Sequence, residues 1–188
     1  MALLPIRIYG DSILRETARP ISQVTEELRT LAADMGETMY AANGVGLAAN
    51  QIGRLDRILV LDVEQTDDAP GKRRKRGRTG QRLLEVYLNP EILSSSIEDE
   101  SYNEGCLSIP GIEGDVYRPL TIRLRWMDLE GKLHEDEAEG MRARVLQHEI
   151  DHLNGVLFID HLPEAKRLAL AGRLNRLKKE TLGESGTE

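Results

Sequence analysis

Apolar positions along the chain change their period several times, and each change marks an element. Leu28, Leu31, Ala32, Met35 and Met39 recur at i, i+3, i+4, i+7 and i+11, the spacing of one buried helix face. The pattern predicts a long first helix over Ile21 to Asn43, with Thr25 as N-cap and Glu26 and Glu27 on the favourable side of the helix dipole. Asn43-Gly44 stops it. Arg57 to Val63 reads as a strand, and Leu83 to Leu88 as a second, closed by Asn89-Pro90. Further strands are expected at Glu91–Ile97, Asp115–Tyr117, Thr121–Met127 and Lys132–Glu137, the last two joined by the turn Asp128-Leu129-Glu130-Gly131. A second helix is predicted from Glu139 to Asn154, with Gly155 at C′. A third runs from Pro163 to Leu182, opened by proline in its first turn. Thr66 to Gly80 is polar and aperiodic, a surface loop between two strands, and residues 183–188 read as a disordered tail.

Helix, many strands, helix and helix make an α+β domain. Its mostly antiparallel β-sheets pack around the second helix, with a long N-terminal helix and a C-terminal helix. The 188 residues suffice for one domain with a real core, so residues 1–188 are read as one unit.

The second helix carries the chemistry. Gln147-His148-Glu149-Ile150-Asp151-His152 contains an H-E-x-x-H motif. Residues four apart share a helix face, so His148 and His152 can aim ring nitrogens at one ion. Met141 and Val145 continue that face, which sets the ion against the interior. Leu146, Ile150 and Leu153 occupy another face, so the helix is wedged between two packing surfaces. Glu149 is displaced around the helix and suits proton transfer from a water acidified by the ion.

Composition narrows the class. Apolar residues make up 40% and charged residues 30%, the balance of a soluble globular chain. No apolar run could span a bilayer, and no secretory signal is visible at the N-terminus. The single cysteine excludes an internal disulfide and points to a reducing compartment, hence a cytoplasmic protein. Aromatics are too scarce for a base-stacking platform. The net charge of −7 is uneven: Lys72, Arg73, Arg74, Lys75, Arg76, Arg78 and Arg82 are seven cations in a stretch without an acid. A basic loop of this kind is either solvated or meets RNA.

A catalytic metal needs a third ligand and an open position. Cys106, His134, His161 and the acids are candidates. Cys106 has the most suggestive context, Glu104-Gly105-Cys106-Leu107-Ser108, where Gly105 permits close backbone approach and a thiolate suits Zn²⁺ or Fe²⁺. The alternative is a buried cysteine acting as a small hydrophobe.

Three segments resemble the signature motifs of the peptide deformylase family: Gly44-Val45-Gly46-Leu47-Ala48-Ala49-Asn50-Gln51, Glu104 to Ser108, and Gln147 to Gly155. Their order and rough spacing agree as well, and Tyr9 to Arg15 is similar to the family's N-terminal segment. The resemblance covers roughly Ile6 to Leu162. It implies a hydrolase that removes the formyl group from the N-terminal methionine of nascent proteins, releasing formate, by attack of metal-activated water on the formyl carbon. It implies one divalent ion on Cys106, His148 and His152. That ion would be Fe²⁺ in the cell, with Zn²⁺, Ni²⁺ or Co²⁺ able to take the site in a purified sample. Glu149 would be the general acid/base, and the Gln51 amide and Leu107 backbone N–H the oxyanion donors. The methionine pocket would be lined by Val45, Met141, Val145 and His148, with Tyr102 at its edge. Gly46 and Gly105 would offer backbone to the peptide. Arg144 lies among these apolar positions, and either points away or narrows the pocket. The implied partners are N-formyl-methionyl peptides and the ribosome surface, met through Lys72–Arg82 or the C-terminal helix. No membrane is involved, and a monomer is expected. The rivals are a metallopeptidase on the same helix, with His161 as a spare ligand, and a non-catalytic metal-binding or ribosome-associated protein.

Overall fold

A computed structural model describes residues 2–63 and 82–183. Seven strands and three α-helices are present among them. The strands are β1 (Gly46–Ala48), β2 (Ile58–Leu61), β3 (Glu85–Ser95), β4 (Asp99–Cys106), β5 (Ile109–Pro119), β6 (Thr121–Met127) and β7 (Leu133–Glu139). The helices are α1 (Glu26–Ala41), α2 (Gly140–Leu153) and α3 (Glu164–Thr181). One antiparallel sheet has the order β1-β2-β3-β6-β7, and β4 and β5 form a separate hairpin. The fold is α+β, with antiparallel sheets and three helices. The predicted loop 66–80, all of the basic run except Arg82, and all of the tail except Gly183 lie outside the described residues.

The run Ile58-Leu59-Val60-Leu61 is apolar throughout because β2 is buried on both faces. Leu59 and Leu61 pack with Leu146, Ile150 and Leu153 of α2. Ile58 and Val60 pack with Leu28, Ala32, Met35 and Met39 of α1. The large sheet therefore lies between α1 and α2. A third cluster joins Ile109, Ile112 and Val116 of β5 to Phe158, Leu162 and Leu174, which fastens α3 to the hairpin.

The first helix starts later than its apolar pattern suggested. Thr25 Oγ1 accepts from Leu28 N–H, and helical geometry begins at Glu26 rather than Ile21. The expected strand end at Asn89-Pro90 is instead a bulge in one long strand. Asn89 takes a left-handed φ of 51°, and pairing with β6 resumes at Glu91.

α2 ends on Gly155, at φ 74°, with Val156 N–H bonded to Asp151 O as in a Schellman cap. A Cβ at this position would collide with the backbone carbonyl of Arg15. Gly155→Ala should therefore cost about 2–4 kcal/mol, from the left-handed penalty and a forced backbone shift. Urea denaturation would show it, and a loss below about 0.5 kcal/mol would contradict this reading of the contact.

Candidate metal centre

Helix α2 and strand β4 converge at one end of the fold. Ligand atoms of Cys106, at the end of β4, and of His148 and His152 on α2 lie within 4.8 Å of one another. His152 Nε2 is 3.2 Å from Cys106 Sγ, while His152 Nδ1 has no partner among the described residues. His148 Nδ1–H donates to Glu104 Oε2 at 3.0 Å, which leaves Nε2 for the site. Two further donors reach Sγ: the Gln51 amide at 3.5 Å and the Ser108 backbone N–H at 3.4 Å. Gln51 is itself fixed, because its Oε1 accepts from Ala48 N–H at 2.8 Å and its amide also reaches Ser108 Oγ.

Glu104 organises the surroundings. Arg118 grips it through two hydrogen bonds of 2.7 and 3.0 Å, and Arg144 adds a third at 2.8 Å. Arg118 also reaches Asp151 at 2.8 Å, and Asp151 accepts from His161. Burial pushes the Glu104 carboxyl up, but hydrogen bonds from His148 and Arg118 outweigh it and hold the group at about 2. The carboxylate thus stays ionised and fixes the ring that it holds. Glu104→Gln should weaken metal binding about tenfold, read by chelator competition on folded protein. Unchanged affinity would show that the ring is oriented without it.

Glu149 is buried and packs against Gly46. A Cβ on Gly46 would sit 2.8 Å from both Glu149 Cγ and Val145 Cγ1. Glu149 Oε2 is buried without a hydrogen-bond partner among the described residues. Burial raises the carboxyl to about 7, against the pull of His148 and Arg118. Burial lowers His148, but hydrogen bonds to Cys106 and Glu104 hold its proton above the usual imidazole range. Burial drives His152 well below that range. An ion held at this group would have to displace a proton from His148, so its uptake would weaken as pH falls.

A cleft of about 450 Å³ opens onto these groups. Its walls include Val45, Gly46, Gln51, Tyr102, Gly105, Cys106, Leu107, Met141, Val145, His148 and Glu149. His152 lies behind them, almost wholly buried.

The family profile described as polypeptide deformylase matches residues 3–168. The chain belongs to the polypeptide deformylase family. It is 46% identical over 180 residues to the peptide deformylase of Mesorhizobium japonicum, covering 96% of each chain. It is 47% identical over 179 residues to that of Nitrobacter hamburgensis, covering 95% of this chain and 98% of the other. The crystal structure of peptide deformylase from Thermus thermophilus superposes with a TM-score of 0.82 at 41% identity, covering 95% of this chain and 99% of that one. The protein is accordingly a peptide deformylase-type hydrolase of protein biosynthesis.

In this deformylase the residues singled out in the three motifs meet at one place. Arg144 settles neither wholly away from the cleft nor as a plug. It lines the cleft and turns its guanidinium into the hairpin, bonding Glu104, Val116 O and Glu100 O, with Tyr102 stacked at 5.4 Å. His161 bonds Asp151 and takes no part in the three-residue group. Arg118 and Asp151 were missed as supporting residues. No local signal marks them, because Arg118 joins Glu104 and Asp151 only through long-range contacts between β5, β4 and α2. No helix among the described residues is long and apolar enough to cross a membrane.

Proposed function

We propose that the protein removes the formyl group from N-formyl-methionyl peptides, releasing formate and a free amino terminus. One observation carries the reading: Glu149, with an oxygen unpartnered among the described residues, lines the same cleft as Cys106 and His148, whose ligand atoms group with that of His152 behind them. The donor set fits a divalent ion. One thiolate and two imidazoles suit Fe²⁺ or Zn²⁺, and three protein ligands leave an open position. Fe²⁺ is the ion we assign in the cell. When bound, it supplies an acidified water, the pKa lowered from about 15.7 towards about 7, and polarises the formyl carbonyl.

The chain's own residues do the rest. Glu149 accepts a proton from the attacking water and delivers it to the departing amine nitrogen. The Gln51 amide, pinned beside Cys106, and the Leu107 backbone N–H stabilise charge on the formyl oxygen. Losing one such donor raises the barrier by about 2.7–4 kcal/mol. β1 is an edge strand of the large sheet, and Gly46 lines the cleft, so an extended peptide can add beside it. Met141, Val145 and Val45 offer an apolar wall for the methionine side chain, with Tyr102 at the rim. The exposed basic residues of α3, Lys166, Arg167, Arg176 and Lys179, suit contact with ribosomal RNA near the emerging substrate.

The test uses anaerobically purified protein with formyl-Met-Ala and unformylated Met-Ala. Formate release from the first alone supports the reading. Cleavage of the unformylated peptide would support a peptidase, and no turnover with metal bound would indicate a binding protein.

A further inference from the structure

Glu113 stands opposite Gly105 in the β4–β5 ladder, and both residues line the cleft. Because Gly105 has no side chain, Glu113 leans across its place. A Cβ on Gly105 would lie 3.4 Å from Glu113 Cγ and 3.9 Å from Oε1. Asn103 Nδ2 donates to Oε2 at 3.1 Å, which steadies the carboxylate. Glu113 is exposed, and among the described residues no cation pairs with it.

The other charges of the cleft are committed. Glu104 is matched by Arg118, Arg144 and His148. Arg144 is held by Glu104 and two backbone carbonyls. Glu149 faces inward, almost wholly buried. Among the described residues, Glu113 is therefore the one solvent-facing charge lining the cleft that has no ion-pair partner, next to the strand end that carries Cys106. A peptide with its formyl group at the metal group and its methionine against Met141 and Val145 can run out along this wall, which lines the same cleft.

We propose that Glu113 is a specificity-determining residue that favours substrates with Lys or Arg one or two positions after the methionine. The proposal rests on the deformylase reading. The pair would be solvent-exposed, so its effect is a few-fold and salt-sensitive. It lies away from the reacting bond and acts equally on ground and transition states, so it belongs in KM and not in kcat.

The experiment compares formyl-Met-Lys-Ala and formyl-Met-Ala-Lys with their Glu counterparts. The parent should favour Lys roughly fivefold in kcat/KM at low salt, through KM. About 1 M salt, where the screening length is about 3 Å, should erase most of that preference. Glu113→Gln can keep the Asn103 contact and should bring the ratio close to one, while Glu113→Lys should reverse it. Formate release at equal rates from Lys and Glu peptides, or a preference that survives Glu113→Gln, overturns the role of Glu113 alone. Absence of formate from every peptide overturns the deformylase reading and this proposal with it.

Discussion

Glu149→Gln should lower kcat by about two to four orders of magnitude while making the metal-free protein more stable. The loss follows because the amide cannot accept the proton of water or pass it to the leaving amine. The gain follows from burial. The folded carboxyl titrates at about 7 and the ordinary value is 4.5, so ionisation is penalised only in the folded state. Between pH 4.5 and 7 the unfolded chain releases this proton and the folded chain keeps it, so stability falls as pH rises through that window. Above it the cost is constant, on the order of 3 kcal/mol. The variant should therefore melt several degrees higher than the parent above pH 7 and converge with it below pH 4.5. Thermal melts of metal-free protein across pH, with formate release of the metal-loaded form, check both halves. A variant that keeps activity, or one equally destabilised at every pH, would remove Glu149 from its role.

Gly46→Ala should cost about a hundredfold in kcat, because displacement of a catalytic group by about 1 Å has that scale. The backbone of Gly46 is not in a left-handed conformation, so the effect is one of space. The new methyl meets Glu149 Cγ and Val145 Cγ1 at 2.8 Å, and Glu149 must move. Zinc content should stay close to that of the parent, since neither neighbour is a ligand. Full activity in Gly46→Ala would mean that the carboxylate has room to spare. Loss of bound zinc would mean that the damage had spread through α2.

Much of this site was legible because its chemistry follows helix period. His148 and His152 sit four apart on α2, and Val145, Leu146, Ile150 and Leu153 mark the apolar positions that bury this helix. Thr25 and the Asp128–Gly131 turn were legible for the same local reason: Thr25 caps its helix, and Gly131 takes φ 80° with its N–H bonded to Asp128 O. β4 was not legible. Its inward positions Glu104 and Cys106 are polar, and its partner Arg118 is a buried charge, so no apolar alternation marks the strand. Long-range pairing, not local propensity, holds those groups inside. β1 is only three residues long, too short for a period to show. The bulge at Asn89 disguised one strand as two, since Asn-Pro reads as a turn wherever partner strands are unknown.

The ligand set is tested most directly by X-ray absorption at the zinc edge of the zinc-loaded protein. One sulfur at about 2.3 Å and two imidazole nitrogens at about 2.0–2.1 Å are expected. The chain has one cysteine, so a thiolate at that distance is Cys106. A shell of nitrogen and oxygen alone would contradict the Cys106–His148–His152 centre.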